Sequence, residues 1–299
     1  MTLPWVILPG MTMPPDDFAA LAAALPGETL ILEAYQTALT APAGQVRAWF
    51  QEQFQDRQRD RARDRSSDRA TWDQIWLVGH SAGAMTALEW LLTFPEEIAG
   101  AFLLEPTDPD EKPSRLLPGT PLHRLVAALL SAVGRWPWLA RRLGRAGRRA
   151  FWRLFTKRAD HLTPSQIDRI WGNRRGLLAV WYQVFDRFIQ ERRVRQLLAT
   201  SSLYGVGGDP PADQSATELT DQPTRKPADQ SASKSTNQSG GPHVPAIYVI
   251  VGDSAEPFHS ALASRLGGRF VVTTGDHLFP VLQPKATAAL ITDLAGQAR

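Results

Sequence analysis

An α/β fold built on a mostly parallel sheet flanked by helices, and interrupted by a helical insertion, is predicted by three observations. Short apolar runs recur at Trp5–Leu8, Thr29–Leu32, Ile75–Val78, Ala101–Leu104, Ala246–Val251 and Arg269–Thr273, each of a length and bulk for one strand. Helical stretches alternate with them, so successive strands need crossovers and run parallel. Between Leu104 and Ala246 that rhythm stops, and residues 120–200 carry helical patterns throughout.

The first run ends at Pro9-Gly10. After a loop, Asp16 or Asp17 is placed to cap a helix reaching about Leu25, where Pro26-Gly27 ends it. Gln45 to about Arg65 reads as a long helix, with Val46, Trp49, Phe50 and Phe54 spaced along one face. Its continuation, Asp56 to Arg69, alternates Asp and Arg and predicts a solvated helix end or loop. The acids there neutralise the arginines, which argues against a phosphate-binding role. Ala84 to Phe94 is rich in Ala, Leu, Met and Trp and predicts a buried helix, and His259–Leu266 and Ala286–Ala295 predict the last two.

A Pro- and Asp-rich loop over residues 107–119 opens the insertion, which falls after the strand at 101–104. Leu122, Leu125, Val126, Leu129 and Leu130 predict one amphipathic face; Phe151, Trp152, Leu154 and Phe155 predict another; Leu177, Leu178, Val180, Trp181, Val184, Phe185 and Phe188 a third. Residues 205–244 are polar, and the hexamer Pro-Ala-Asp-Gln-Ser-Ala occurs in them at Pro211 and again at Pro227. So little apolar surface does not offset the entropy of ordering, which predicts a disordered linker. The sheet pattern resumes afterwards. The expected organisation is therefore a core of residues 1–106 and 245–299, a helical cap of 107–204, and the linker within the insertion.

A chain of 299 residues can bury one substantial core that carries an insertion. It has no cysteine, which excludes disulfides, thiolate metal sites and a cysteine nucleophile. No secretory signal is read at the N-terminus and no apolar run reaches spanning length, so a soluble, cytoplasmic protein is expected. The net charge of +3 hides an asymmetry: Arg115 to Arg195 holds 17 Arg and one Lys against four acidic residues. A basic module set into an acidic body either attracts that body or meets an anionic partner.

The chemistry centres on Gly79-His80-Ser81-Ala82-Gly83, which lies between the Ile75–Val78 run and the following helix. This G-x-S-x-G spacing in a strand-to-helix turn lifts a serine hydroxyl from the end of a sheet. Such a hydroxyl needs a base to take its proton and an acid to orient that base. Of the six histidines, His277 sits in the loop after the last strand, where a parallel sheet presents its functional groups. His80 lies inside the turn, pointing elsewhere; His123 and His161 lie in the insertion, His243 borders the linker and His259 opens a helix. Three carboxylates qualify as the acid by order alone: Asp253 first, at the end of the Ala246–Val251 strand, then Glu256 in the same loop, then Glu105 at the end of the Ala101–Leu104 strand. The oxyanion donors expected are the backbone N–H groups of Ala82 and of Met11, the latter in Leu8-Pro9-Gly10-Met11. Neither H-E-x-x-H nor a phosphate-cradling G-x-x-x-x-G-K-S/T is present, so no metal or cofactor is expected.

With these pieces in the order nucleophile, acid, histidine, the chain resembles the α/β-hydrolase superfamily, in particular its members with a helical cap. The resemblance covers residues 3–106 and 245–296. It implies Ser81 as nucleophile, Asp253 or a neighbour as acid, His277 as base, and a lid where the insertion falls. The chain departs from many members in placing Pro9 before the oxyanion glycine, and Ala255 where members commonly place the acid. The first strands of the usual eight-stranded sheet are expected to be absent.

The function expected is a serine hydrolase that cleaves a carboxylic ester or thioester of an apolar, acyl or aromatic substrate through an acyl-enzyme. Most aromatic cap residues, among them Trp136, Trp138, Phe151, Trp152 and Phe155, are expected to pack the lid onto the core, and some to line the pocket beneath it. Two alternatives stand beside it: cofactor-free perhydrolase or acyltransferase chemistry on the same triad, and a non-catalytic binding protein that kept the fold. Leu139 to Phe155 interleaves Arg with Leu, Trp and Phe, a pattern able to lie on an anionic membrane. Nucleic acid is not an expected partner.

Overall fold

A computed structural model describes residues 3–32, 40–64, 74–109, 120–200, 244–253 and 255–298. The linker expected at 205–244 lies outside the described residues, apart from Val244 at its end. Six strands, β1 (Trp5–Leu8), β2 (Thr29–Ile31), β3 (Ile75–His80), β4 (Ile98–Leu104), β5 (Ala246–Val251) and β6 (Arg269–Val272), form one all-parallel sheet in the order β2-β1-β3-β4-β5-β6. The chain places β2 on one side of β1 and every later strand on the other. The order therefore reverses between β1 and β3, the position at whose C-terminal end open parallel sheets bind ligands.

Ten helices among the described residues complete the fold: α1 (Pro15–Ala24), α2 (Ala43–Asp64), α3 (Ala82–Thr93), α4 (Pro121–Val133), α5 (Pro137–Phe155), α6 (Pro164–Trp171), α7 (Arg174–Thr200), α8 (Pro257–Arg265), α9 (Phe279–Leu282) and α10 (Pro284–Gln297). Helices on both faces explain why the strands read as unbroken apolar runs. Val6, Leu8, Leu77 and Leu103 pack with Val46 of α2, Trp90 of α3 and Leu262 of α8. Their strand neighbours Trp5, Ile7, Val78 and Phe102 pack on the opposite face with Phe18 of α1 and Ile291 of α10. β4 begins three residues earlier than the sequence suggests. Ala99 and Gly100 carry too little side chain to signal a strand, yet Gly100 pairs with Trp76 on one side and Ala246 on the other.

Two local expectations are corrected. Asp17 does not cap α1, whose N-cap is Pro14; it is buried and binds Arg148 of α5. The leucines of α4 do not share one buried face: Leu122, Leu125 and Leu129 are exposed, and the inward residue is His123, stacked on Trp181 at 5.5 Å. α4 packs on α7, and the aromatic contact at His123 occupies the inner line that the leucines were expected to fill.

Polar connections seat the insertion on the core. The Arg148 guanidinium binds both carboxylate oxygens of Asp17, at 2.9 and 3.1 Å, and Asp160 at 2.7 Å, with Trp152 and Trp171 rings at 4.4 and 4.9 Å. On α7, Gln190 donates to Thr86 Oγ1 and Arg193 binds Glu89, both partners on α3. Val194 and Leu198 then join the sheet's own core, so the end of the insertion packs as part of the body it interrupts.

Candidate active site

Ser81 stands directly after β3 with φ 53° and ψ −122°, a region an L-residue occupies only when its surroundings force it. The force comes from close packing on both sides. A Cβ on Gly79 would lie 2.6 Å from Ala84 Cα, and one on Gly83 would lie 2.1 Å from the Leu8 carbonyl oxygen. The Ser81 N–H donates to Leu104 O at 2.9 Å, which ties the turn to the end of β4. Ala82 opens α3, so its N–H is one of the first-turn donors that a helix leaves without an internal partner.

His277 occupies the loop after β6, and the carboxylate facing it belongs to Glu105: His277 Nδ1 and Glu105 Oε2 are 3.5 Å apart. Of the three carboxylates named as candidate acids, Glu105 is the one the fold brings to this histidine. Glu105 directly follows β4 with φ 47°, is buried, and accepts from the Gly252 N–H at 2.6 Å through its other oxygen. Gly252 has no room for a side chain, because a Cβ there would fall 2.2 Å from Gly275 O and 3.2 Å from Glu105 Oε1. Asp253 points its side chain to solvent and uses its backbone N–H on Gly275 O, at 2.7 Å. Glu256 is also exposed and is the N-cap residue of α8, where its N–H donates to His259 Nδ1.

Sequence reasoning passed over His80. Its ring is fully buried, and Nε2 lies 2.8 Å from the His277 carbonyl oxygen. Burial, with the neighbouring His277 adding to it, pulls the His80 imidazole down to about 3. Near neutral pH the ring is therefore uncharged, and the Nε2–H donates to His277 O. The signal lay in the two-residue period of β3: Trp76, Val78 and His80 point to the same face as Leu278 and Phe279.

Helices α5 and α7 of the insertion reach this end of the sheet. Phe155 of α5 stacks on the His277 ring at 4.7 Å with a 28° interplanar angle. Gln183 of α7 is buried and accepts from the Thr12 N–H at 2.8 Å, next to Met11. The two predicted oxyanion segments meet there. Pro9, Gly10 and Met11 face Ala82 and Gly83 across a cavity of about 10 Å³, closed by Thr40, Gln183 and Gln190, which is room for roughly one water. Among the described residues no group of His, Asp and Glu is arranged to hold a metal ion, and no helix is long and apolar enough to cross a membrane.

The family model described as the alpha/beta hydrolase fold matches residues 58–293. No curated protein matches the sequence. Solved structures share the fold at low identity. Cfl2 from Burkholderia cenocepacia superposes with a TM-score of 0.55 at 15% identity, over 97% of this chain and 87% of that one. The haloalkane dehalogenase DatA from Agrobacterium tumefaciens gives 0.55 at 13%, over 100% and 90%. A thermophilic esterase from Thermogutta terrifontis gives 0.51 at 15%, over 100% and 91%. The all-parallel sheet, the strained serine turn at the end of β3 and the family match over most of its length place this chain in the α/β-hydrolase family.

Proposed function

We propose that the protein is a serine hydrolase that cleaves a carboxylic ester or thioester of an apolar substrate through an acyl-enzyme. The observation that carries this reading is the buried Glu105 facing His277 at 3.5 Å, with Glu105 at the end of β4, the strand paired with the one that ends just before Ser81. In the proposed sequence His277 takes the Ser81 proton as Oγ attacks the substrate carbonyl, and Glu105 stabilises the imidazolium that forms. The oxyanion is held by the N–H groups of Ala82 and Met11. The imidazolium gives its proton to the leaving alcohol or thiol as the intermediate collapses, and the neutral histidine then activates a water that cleaves the acyl-serine ester.

The identity of the nucleophile favours acyl chemistry over the dehalogenase chemistry named for one structural neighbour. Attack by a serine oxygen on an alkyl carbon would give an ether, which lacks a carbonyl for water to attack, so the enzyme would stop after one event. Attack on an acyl carbon gives an ester that water can open. Phe155, stacked on His277, and Phe151, 4.9 Å from Phe155, favour an apolar acyl or aromatic group.

A fluorophosphonate probe and a series of p-nitrophenyl esters of increasing chain length test the reading. The wild type is expected to be labelled and to turn over the esters, and Ser81→Ala to lose labelling and at least about 10³-fold in kcat. Turnover that survives the substitution overturns the proposal.

A further inference from the structure

The inner side of α5 faces the site through Phe155 and the core through Arg148, but its outer side has no partner among the described residues. At about 100° per residue, Arg142, Arg149 and Arg153 fall within an arc of roughly 40° on the side away from the buried Ala140, Gly144, Arg148 and Trp152. Leu143 and Leu154 lie about 100° further round the same helix. Leu154 is 78% exposed, and Trp136 and Trp138, at the turn from α4, are 58% and 65% exposed. Across that turn, α4 adds the exposed leucines Leu122, Leu125 and Leu129.

The charges divide in a way that identifies the partner. Some cap arginines are used inside the protein: Arg148 binds Asp17, Arg169 binds Asp16, Arg145 binds Asp168 and Arg193 binds Glu89. Arg142, Arg149 and Arg153 have no carboxylate partner among the described residues. From Ser114 to Ala159 the sequence holds ten Arg and one Lys and no acidic residue. A surface that merely needs solubility mixes both signs and hides its large apolar side chains. One-signed charge beside exposed Trp and Leu instead matches the headgroup layer of an anionic bilayer, where arginines meet phosphates while indoles and leucines enter the acyl boundary.

We propose that the outer side of α5, with the exposed ridge of α4 and the Trp136–Trp138 turn, docks on an anionic phospholipid bilayer. The bilayer lies against the solvent side of the helix whose inner side covers His277. Docking is a property of this surface and does not depend on Ser81 chemistry.

The test uses the full-length protein with vesicles of phosphatidylcholine alone and with about 30% phosphatidylglycerol, read by co-sedimentation. Binding is expected only to the anionic vesicles, and to weaken by at least about tenfold as NaCl rises from about 0.05 to about 0.5 M. Replacing Arg142, Arg149 and Arg153 together by Glu is expected to abolish it, and Trp136→Ser with Trp138→Ser to weaken it, with unchanged circular dichroism in each because these side chains are exposed. Equal binding to neutral vesicles, no binding to anionic ones at low salt, or wild-type binding by the triple variant overturns the proposal. So does a concentration-dependent dimer that Leu122→Ser with Leu125→Ser dissolves, if vesicle binding is absent. Failure of ester turnover with intact vesicle binding removes the hydrolase reading alone.

Discussion

Glu105 Oε2 lies 3.5 Å from His277 Nδ1 although 172 positions separate the two residues, and the same carboxylate is gripped by the Gly252 N–H on the next strand's loop. The carboxylate proposed as the acid is thus anchored by β4 and β5 together beside the imidazole. Without the carboxylate the histidine loses both its orientation and the charge that balances its protonated form. Glu105→Gln is expected to lower kcat on a p-nitrophenyl ester by roughly 10² to 10⁴-fold. Asp253→Asn and Glu256→Gln, which alter exposed side chains, are expected to stay within about twofold of wild type. Steady-state kinetics of the three variants check the assignment, and a large loss in Asp253→Asn with none in Glu105→Gln contradicts it.

His80 ties conformational stability to pH. Its folded-state value of about 3 lies below the ordinary histidine value, with burial as the first cause and His277 as the second; Glu105 opposes both. The unfolded chain therefore binds the proton more readily than the folded one. Stability from this group is complete above about pH 6.5 and is lost as pH falls toward about 3, by at most about 1.4 kcal/mol per pH unit. Burial also lowers His259, which adds a loss of the same sign. Urea midpoints are expected to fall between pH 7 and pH 4.5 in the wild type, and to fall less in His80→Gln. An identical pH dependence in that variant contradicts the assignment.

Arg148 is the buried join between insertion and core. Its Nη1 and Nη2 reach Asp17 Oδ2 and Oδ1 at 3.1 and 2.9 Å, with both side chains essentially without solvent. Removing the cation leaves the buried Asp17 carboxylate with only His161 against it, Nε2 at 3.1 Å from Oδ1. Arg148→Met is expected to cost about 3–5 kcal/mol of unfolding free energy, and Arg148→Met with Asp17→Leu to recover part of that loss. Urea unfolding of both single variants and the double variant measures the coupling. Strictly additive losses contradict it.

The strands, their parallel arrangement and the serine turn were legible because each is written in a short stretch of chain. Ile75–Val78 announces a buried strand by bulk, and the glycines at 79 and 83 announce the turn because no side chain fits there. His277 could be chosen by position, since a parallel sheet delivers its loops to one edge. No single acid could be chosen, because Asp253, Glu256 and Glu105 all lie in loops at that edge and carry the same group. Only the folded chain distinguished them: Glu105 turns inward at φ 47° and finds a backbone donor at Gly252, while Asp253 and Glu256 turn to water. For the same reason the buried Asp17 read as a helix cap and His80 as a bystander. Spacing along the chain determines which residues share a strand, a turn or a helix face. Which charged or polar side chains meet is decided by contacts between elements distant in sequence, through desolvation and hydrogen-bond geometry that no local pattern records.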